Sequence, residues 1–304
     1  MTAPIVLPWP LRSGLEAATR SLFDLREQPS ADFSLPVGEA ALVPADSVSW
    51  RVFKTPLSLF IGGVAAVIME LAEPRVRTGV WEHTTFRVDP VRRLRRTGLA
   101  AMITVYAARG KAEAMIARVR QIHDRIAGLP PAGEAYHAND PELLNWVQGT
   151  AAYGFLQAYH QYVGALSNLE RDCYYAEGTQ AARLYGASAP TSEGALELRF
   201  EAMADKLERS EILLEFLGIM RSAPILPLPL RPVQSLLTRA AIDLTPHWVQ
   251  AIVGLTGQGL NDLEAAVVRK IVGFADRLVL ETNPAVQACR RMRLPPIYLY
   301  GNAI

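Results

Sequence analysis

The stretch Asp89 to Ala127, DPVRRLRRTGLAAMITVYAARGKAEAMIARVRQIHDRIA, decides the fold class. Asp89-Pro90 reads as a helix start: the carboxylate caps free amides, and proline at the first helical position has no amide to leave unpaired. Behind it Val91, Leu94, Gly98, Met102 and Val105 recur at helical spacing, so a helix is expected to run to about Ala108. A second helix is expected from Lys111 to Ala127, stopped by Gly128 with Pro130 and Pro131 behind it. Ala112, Met115, Ile116, Val119, Ile122, His123 and Ile126 form its apolar stripe, whereas Arg118, Arg120, Asp124 and Arg125 fall on the other side.

The same period governs most of the remaining chain. Helices are expected over Ser13 to Glu27, Pro56 to Glu73 (closed by Pro74) and Asp140 to about Leu166. Others follow over Glu170 to Tyr185, Ser192 to Ile219, Val233 to Leu255 and Asn261 to Glu281. No segment sustains period-two alternation with β-branched residues, so the fold class is all-α. Residues 1–45 are rich in proline and are expected to wrap a single helical domain spanning 46–304. The stretch Ser222 to Pro232 holds four prolines and must be extended, leaving the last helices as an appendage on the same core.

Composition narrows the function classes. Half of the 304 residues are apolar, enough for a sizeable core. Lys and Arg number 31 against 30 Asp and Glu, a net charge of +1, which argues against a nucleic-acid partner. Two cysteines, Cys173 and Cys289, cannot build a disulfide framework or a structural zinc site, and with no secretion signal a cytoplasmic protein is expected. The apolar run Leu57 to Met69 is shorter than the roughly 20 residues a bilayer span needs. It reads as a buried helix, with a peripheral membrane contact as the alternative. Phosphate loops, a nucleophile elbow and a His-Glu-x-x-His motif are all absent.

Three groups of residues could carry chemistry. On its stripe His123 faces apolar surroundings, where burial favours the neutral imidazole, the form that binds iron; a core histidine satisfied by a carbonyl is the competing reading. Arg92, Arg93, Arg95 and Arg96 crowd a helix start, where the dipole is already positive. Arg93, Arg96, Thr97 and Ala100 share one face, suited to carboxylates or a polarised oxygen ligand, or else simply a solvated basic face. Trp81-Glu82-His83-Thr84-Thr85-Phe86 is expected in the loop before Asp89, with His83 either across a pocket mouth or ordering the loop. His137 is expected exposed and His160 packed and hydrogen-bonded. Glu170, Arg171 and Asp172 read as an internal ion-pair cluster.

The order of motifs resembles one family. It runs from Gly62-Gly63 to Glu73-Pro74, through Gly79 to His83, Phe86, Asp89-Pro90, Arg93-Leu94-Arg95-Arg96-Thr97 and His123. Tyr136, Ala138-Asn139-Asp140-Pro141 and Trp146-Val147 complete it. The pattern is similar to the bacterial family that shares its catalytic domain with rubber oxygenase (the latex-clearing protein) and the ER-bound oxygenases of the mycophenolic acid pathway, over about residues 55–220. The resemblance implies a globin-like helical core and haem b held by one proximal histidine, matched here by His123. Arg93 and Thr97 match the distal arginine and threonine. Arg96 replaces the lysine of the rubber enzymes, and arginine does not readily release its proton. Gln148 stands where many members carry histidine.

The function this implies is a haem-dependent oxygenase that uses dioxygen on a small apolar or isoprenoid-like substrate. Iron would be ligated by His123, with Arg93, Arg96 and Thr97 as the catalytic group and Arg93 and His83 near the cofactor. The alternative is a non-catalytic haem or apolar-ligand binder of the same fold, because a shared fold does not transfer chemistry.

Overall fold

The structure is a computed structural model and describes residues 3–23, 31–130, 133–226, 228 and 231–300. Its first helices are α1 (Trp9–Phe23), α2 (Val48–Val52), α3 (Pro56–Ala72), α4 (Pro74–His83), α5 (Pro90–Tyr106) and α6 (Arg109–His123). Then come α7 (Pro141–Tyr162), α8 (Asn168–Glu177), α9 (Thr179–Tyr185), α10 (Glu193–Met203) and α11 (Glu211–Ser222). The last four are α12 (Arg231–Leu244), α13 (His247–Val253), α14 (Asp262–Asp276) and α15 (Pro284–Arg291). Among the described residues the only paired strands are two residues each, β1 (Ala127–Gly128) antiparallel to β2 (Tyr136–His137). The all-α reading stands.

Local chemistry explains most of the helix starts. Proline opens α3, α4, α5, α7 and α15. Asp89 accepts from the Arg92 amide at 3.1 Å and Asp140 from the Glu142 amide at 2.8 Å. The carboxylate cap at Asp89 offsets part of the cost of placing arginines at the positive end of α5. Ser167 with Glu170, and Asn261 with Glu264, form reciprocal capping boxes on α8 and α14.

Tertiary structure breaks several segments that read as continuous. The Glu170–Tyr185 segment divides at Gly178 into α8 and α9. The Ser192–Ile219 segment ends α10 at Met203 because the chain turns to bond α3, Glu208 donating its amide to the Ala72 carbonyl at 2.9 Å and pairing its carboxylate with Arg77. Ser210 then restarts α11 as its cap. The Val233–Leu255 segment breaks at Thr245-Pro246, since proline has no amide to continue α12. The Asn261–Glu281 segment stops at Asp276, where Ile5 bridges in parallel to Leu278 through Arg277 and Val279. The expected end of the first helix at Glu27 lies outside the described residues, as do 227, 229 and 230 of the proline-rich connection. Helix α15, capped by Asn283, falls in the Arg-rich tail, where no helix is expected from sequence.

Helix α3 is the axis of the core. It runs along α7 so closely that a Cβ on Gly62 would meet the Gly154 carbonyl oxygen at 2.6 Å. Ile61, Ile68, Met69 and Leu71 are fully buried, each contributing about 1.5–3 kcal/mol. Helix α12 covers another flank of α3, with α11 and α14 beside it. A second layer is the α5–α6 pair, with α9 against α6 and with α1, α2 and α15 against α5. The N-terminal segment is held by Arg291, which is fully buried and donates to the carbonyls of Glu39 at 2.8 Å and Phe33 at 2.6 Å. No single helix is long and apolar enough to cross a membrane.

Candidate functional site

Four helices deliver the site: Glu70 lies near the end of α3, Arg93 and Thr97 on α5, His123 at the end of α6, and Thr150 on α7. Helix α3 packs on α7 while α5 packs on α6, so the two layers meet across this site through side chains. Arg93 and Glu70 feel each other's charge, yet no hydrogen bond joins them. Both are deep enough for burial to dominate their ionisation, and both keep some accessible surface.

Burial pushes the Glu70 carboxyl up to about 7, against the opposing pull of Arg93 and of Thr150, whose Oγ1 lies 3.5 Å from Oε1. Burial also lowers the Arg93 guanidinium below its usual range, with Glu70 opposing that shift and Arg96 adding to it. Thr97 holds Arg93 in place. Its hydroxyl donates to the Arg93 carbonyl at 3.0 Å and accepts from Arg93 Nη1. The expected four-residue spacing of Arg93 and Thr97 therefore becomes a physical pair.

His123 is half-buried, not sunk in the core: Ile122 beside it is 43% exposed, so the apolar stripe of α6 ends before the helix does. Burial lowers the imidazole pKa, the Asn139 side chain, acting as an acceptor, opposes this, and Arg93 lowers it further. The ring is therefore neutral at pH 7. Nδ1 is enclosed, whereas Nε2 makes no hydrogen bond and is not enclosed, so it opens onto accessible space. Among the described residues no cluster of three or more His, Cys, Asp or Glu could cage a metal ion.

Other expected residues lie apart. Trp81 to His83 form the last turn of α4 and not a loop, because Pro74 restarts the chain as a helix after Glu73. His83 ends α4 exposed, and its side chain bonds to no described residue. Arg96 is exposed and reaches the site only through its charge on Arg93. His160 accepts from the Leu166 amide at 3.0 Å, a packed and satisfied role. His137 is exposed, in β2, and accepts from the Asn139 amide at 3.1 Å. The Glu170–Arg171 cluster resolves into an Arg51–Glu170 pair at 2.6 Å and an Arg171–Glu193 pair at 2.7 Å, both structural. Two surface clefts lie elsewhere. One, of about 350 Å³, includes Phe33, Leu99 and Arg290; the other, of about 370 Å³, includes Trp146, Leu196 and Phe200.

Glu70, Thr150 and Asn139 escape a role in the sequence reading. The signal for Glu70 is visible in retrospect: it is the single charge in the apolar run from Leu57 to Ala72. A lone carboxylate on a buried helix needs a reason to be there.

The fold and site define an all-α domain with a buried carboxylate, an arginine and a neutral histidine drawn from separate helices. Residues 50–277 match the family model described as ER-bound oxygenase mpaB/B'/rubber oxygenase, catalytic domain, and the chain belongs to that family of oxygenase catalytic domains. The match reaches past 220 and takes in α12, α13 and α14. Searches of curated proteins and of solved structures found no match.

Proposed function

We propose that this chain is a haem b-dependent oxygenase that uses dioxygen on a small apolar or isoprenoid-like substrate, with His123 as the axial ligand. The observation that carries the reading is the state of His123: neutral, with Nδ1 enclosed and Nε2 open, on the opposite layer from Glu70. These residues fit a haem iron, which takes a neutral imidazole nitrogen as its proximal ligand. When bound, the haem supplies the oxygen activation that no side chain here can provide.

The chain's own residues would hold, orient and manage protons. Arg93, fixed by Thr97, presents a guanidinium that stabilises negative charge developing on an oxygen held near it. Glu70 is poised near neutrality, so its carboxyl can hold or release a proton at working pH, which Arg96 cannot. Gly63 and Val67, on the partly accessible face of α3 that leads to Glu70, suit an apolar substrate.

The test is the absorption spectrum of protein expressed with a haem precursor, beside His123→Ala. A Soret band near ~400 nm that disappears in the variant is expected, followed by oxygen uptake with terpenoid or polyisoprenoid substrates. No band in either protein after hemin addition would overturn the cofactor. A band without oxygen uptake would turn the reading into a carrier or sensor.

A further inference from the structure

The turn after α6 contains an arrangement that the reading above does not use. Asn139 is brought back to the end of α6 by the β1–β2 pair and by Ala138, which donates its amide to the Ile126 carbonyl at 2.9 Å. Its amide orientation is settled by its partners. Nδ2 donates to the Asp124 carboxylate at 2.7 Å and to the Arg120 carbonyl at 3.3 Å, two acceptors that only an NH₂ group can satisfy. Oδ1 must then point the other way. It is enclosed and has no other partner, and so is His123 Nδ1. The influence of Asn139 on His123 is that of an acceptor, favouring a proton on the ring. Both are enclosed and unpartnered, one an acceptor and the other a nitrogen able to carry a proton, on side chains that influence each other, so the two are complementary.

We propose that Asn139, itself locked by Asp124, is the positioning residue of His123: its Oδ1 accepts from Nδ1–H, fixing the tautomer that leaves Nε2 bare toward the site. The reading rests on His123 as the axial ligand, but the tautomer is a property of the protein before any cofactor binds. An isolated imidazole in water prefers its proton on Nε2, which would block ligation there. The amide reverses that preference, and the Asp124 carboxylate draws on the amide and strengthens it as an acceptor. Outer-shell groups of this kind set both the orientation and the basicity of a ligating histidine.

The test has two arms. In the cofactor-free protein, nitrogen chemical shifts of ¹⁵N-histidine, assigned with His123→Ala, are expected to show His123 protonated at Nδ1 at slightly alkaline pH. Asn139→Leu, similar in size but unable to accept, is expected to move the proton to Nε2. In hemin-loaded protein, Asn139→Leu is expected to weaken haem binding about 10–100-fold and to lower the ferrous iron–histidine stretching frequency in resonance Raman spectra. The double exchange Asp124→Asn with Asn139→Asp keeps the charge but moves the carboxylate next to the ring. It is expected to raise that frequency and lower the reduction potential, and it serves if the leucine variant does not fold. A wild-type His123 protonated at Nε2, or a tautomer unchanged in Asn139→Leu, would overturn the proposal. Absence of haem binding with the Nδ1–H tautomer present would instead overturn the cofactor reading and leave the latch standing.

Discussion

The two ends of α3 carry buried charge in opposite ways. Beside its start, Lys54 is buried and paired with Asp276 at 3.0 Å, donates also to the Leu299 carbonyl at 3.1 Å, and lies over the Tyr300 ring. Thr55 adds its hydroxyl to the same carboxylate. Near its other end, Glu70 has only a long contact from Thr150 and a charge interaction with Arg93. A saturated pair fastens α14 and the C-terminal turn to the core. A half-satisfied carboxylate keeps a raised pKa and is free to exchange a proton. Both charges pay for burial, but only the second is left reactive.

The first way to break this comparison is Asp276→Ala. It strands the Lys54 ammonium and removes the acceptor of Thr55, so a loss of about 3–5 kcal/mol is expected in denaturant unfolding. A loss below about 1 kcal/mol, the level of an exposed pair, would mean that the pair is not the fastening it is taken to be.

Glu70→Gln should act in the opposite direction. The folded carboxyl sits at about 7 against an ordinary 4.5, so the folded state holds its proton more tightly than the unfolded chain. Its contribution is full below about pH 4.5 and is lost as pH rises through 7. Above that, ionised Glu70 costs about 3 kcal/mol, which glutamine would restore. Urea unfolding of both proteins across this range should show the gap opening with pH. Equal stability at every pH would show that Glu70 does not titrate abnormally. Arg93→Leu sharpens the point: without the arginine the Glu70 carboxyl should titrate still higher, read by the same series.

Between the two ends, Gly62→Ala should cost about 1–3 kcal/mol through overpacking against the α7 backbone, without changing the Glu70 titration. The smallest effect is expected from Arg96→Ala. This exposed side chain should change stability by less than about 0.5 kcal/mol in thermal melts.

How much of this was legible depends on the range of the interaction. Asp89-Pro90 and Asp140-Pro141 are local, and α5 and α7 start where these caps place them. The stripe of α6 is local too, but that helix stops at His123 and not at the expected Ala127, because the chain turns there into the β1–β2 pair. The breaks at Met203 and Asp276 are not local: they are set by the Glu208 bond to Ala72 and by the bridge from Ile5 to Leu278. In the site, Arg93 and Thr97 were legible because four residues make one helical turn. Glu70 lies 23 positions before Arg93, and no periodicity connects residues on helices of different layers. His83 was misplaced for the same kind of reason, since the restart of the chain at Pro74 carries it to an exposed helix end.

The sequence alone determined the helical class, the caps and the identity of the residues able to do chemistry, because these depend on neighbours within a turn or two. Which of those residues face one another was decided by tertiary structure. Packing of α3 on α7 and of α5 on α6 sets Glu70 opposite Arg93 and leaves the carboxylate too dry to ionise easily. The return of the chain at β1–β2 brings Asn139 to His123. Dehydration and the meeting of distant side chains belong to the folded molecule, and they turn common residues into a site.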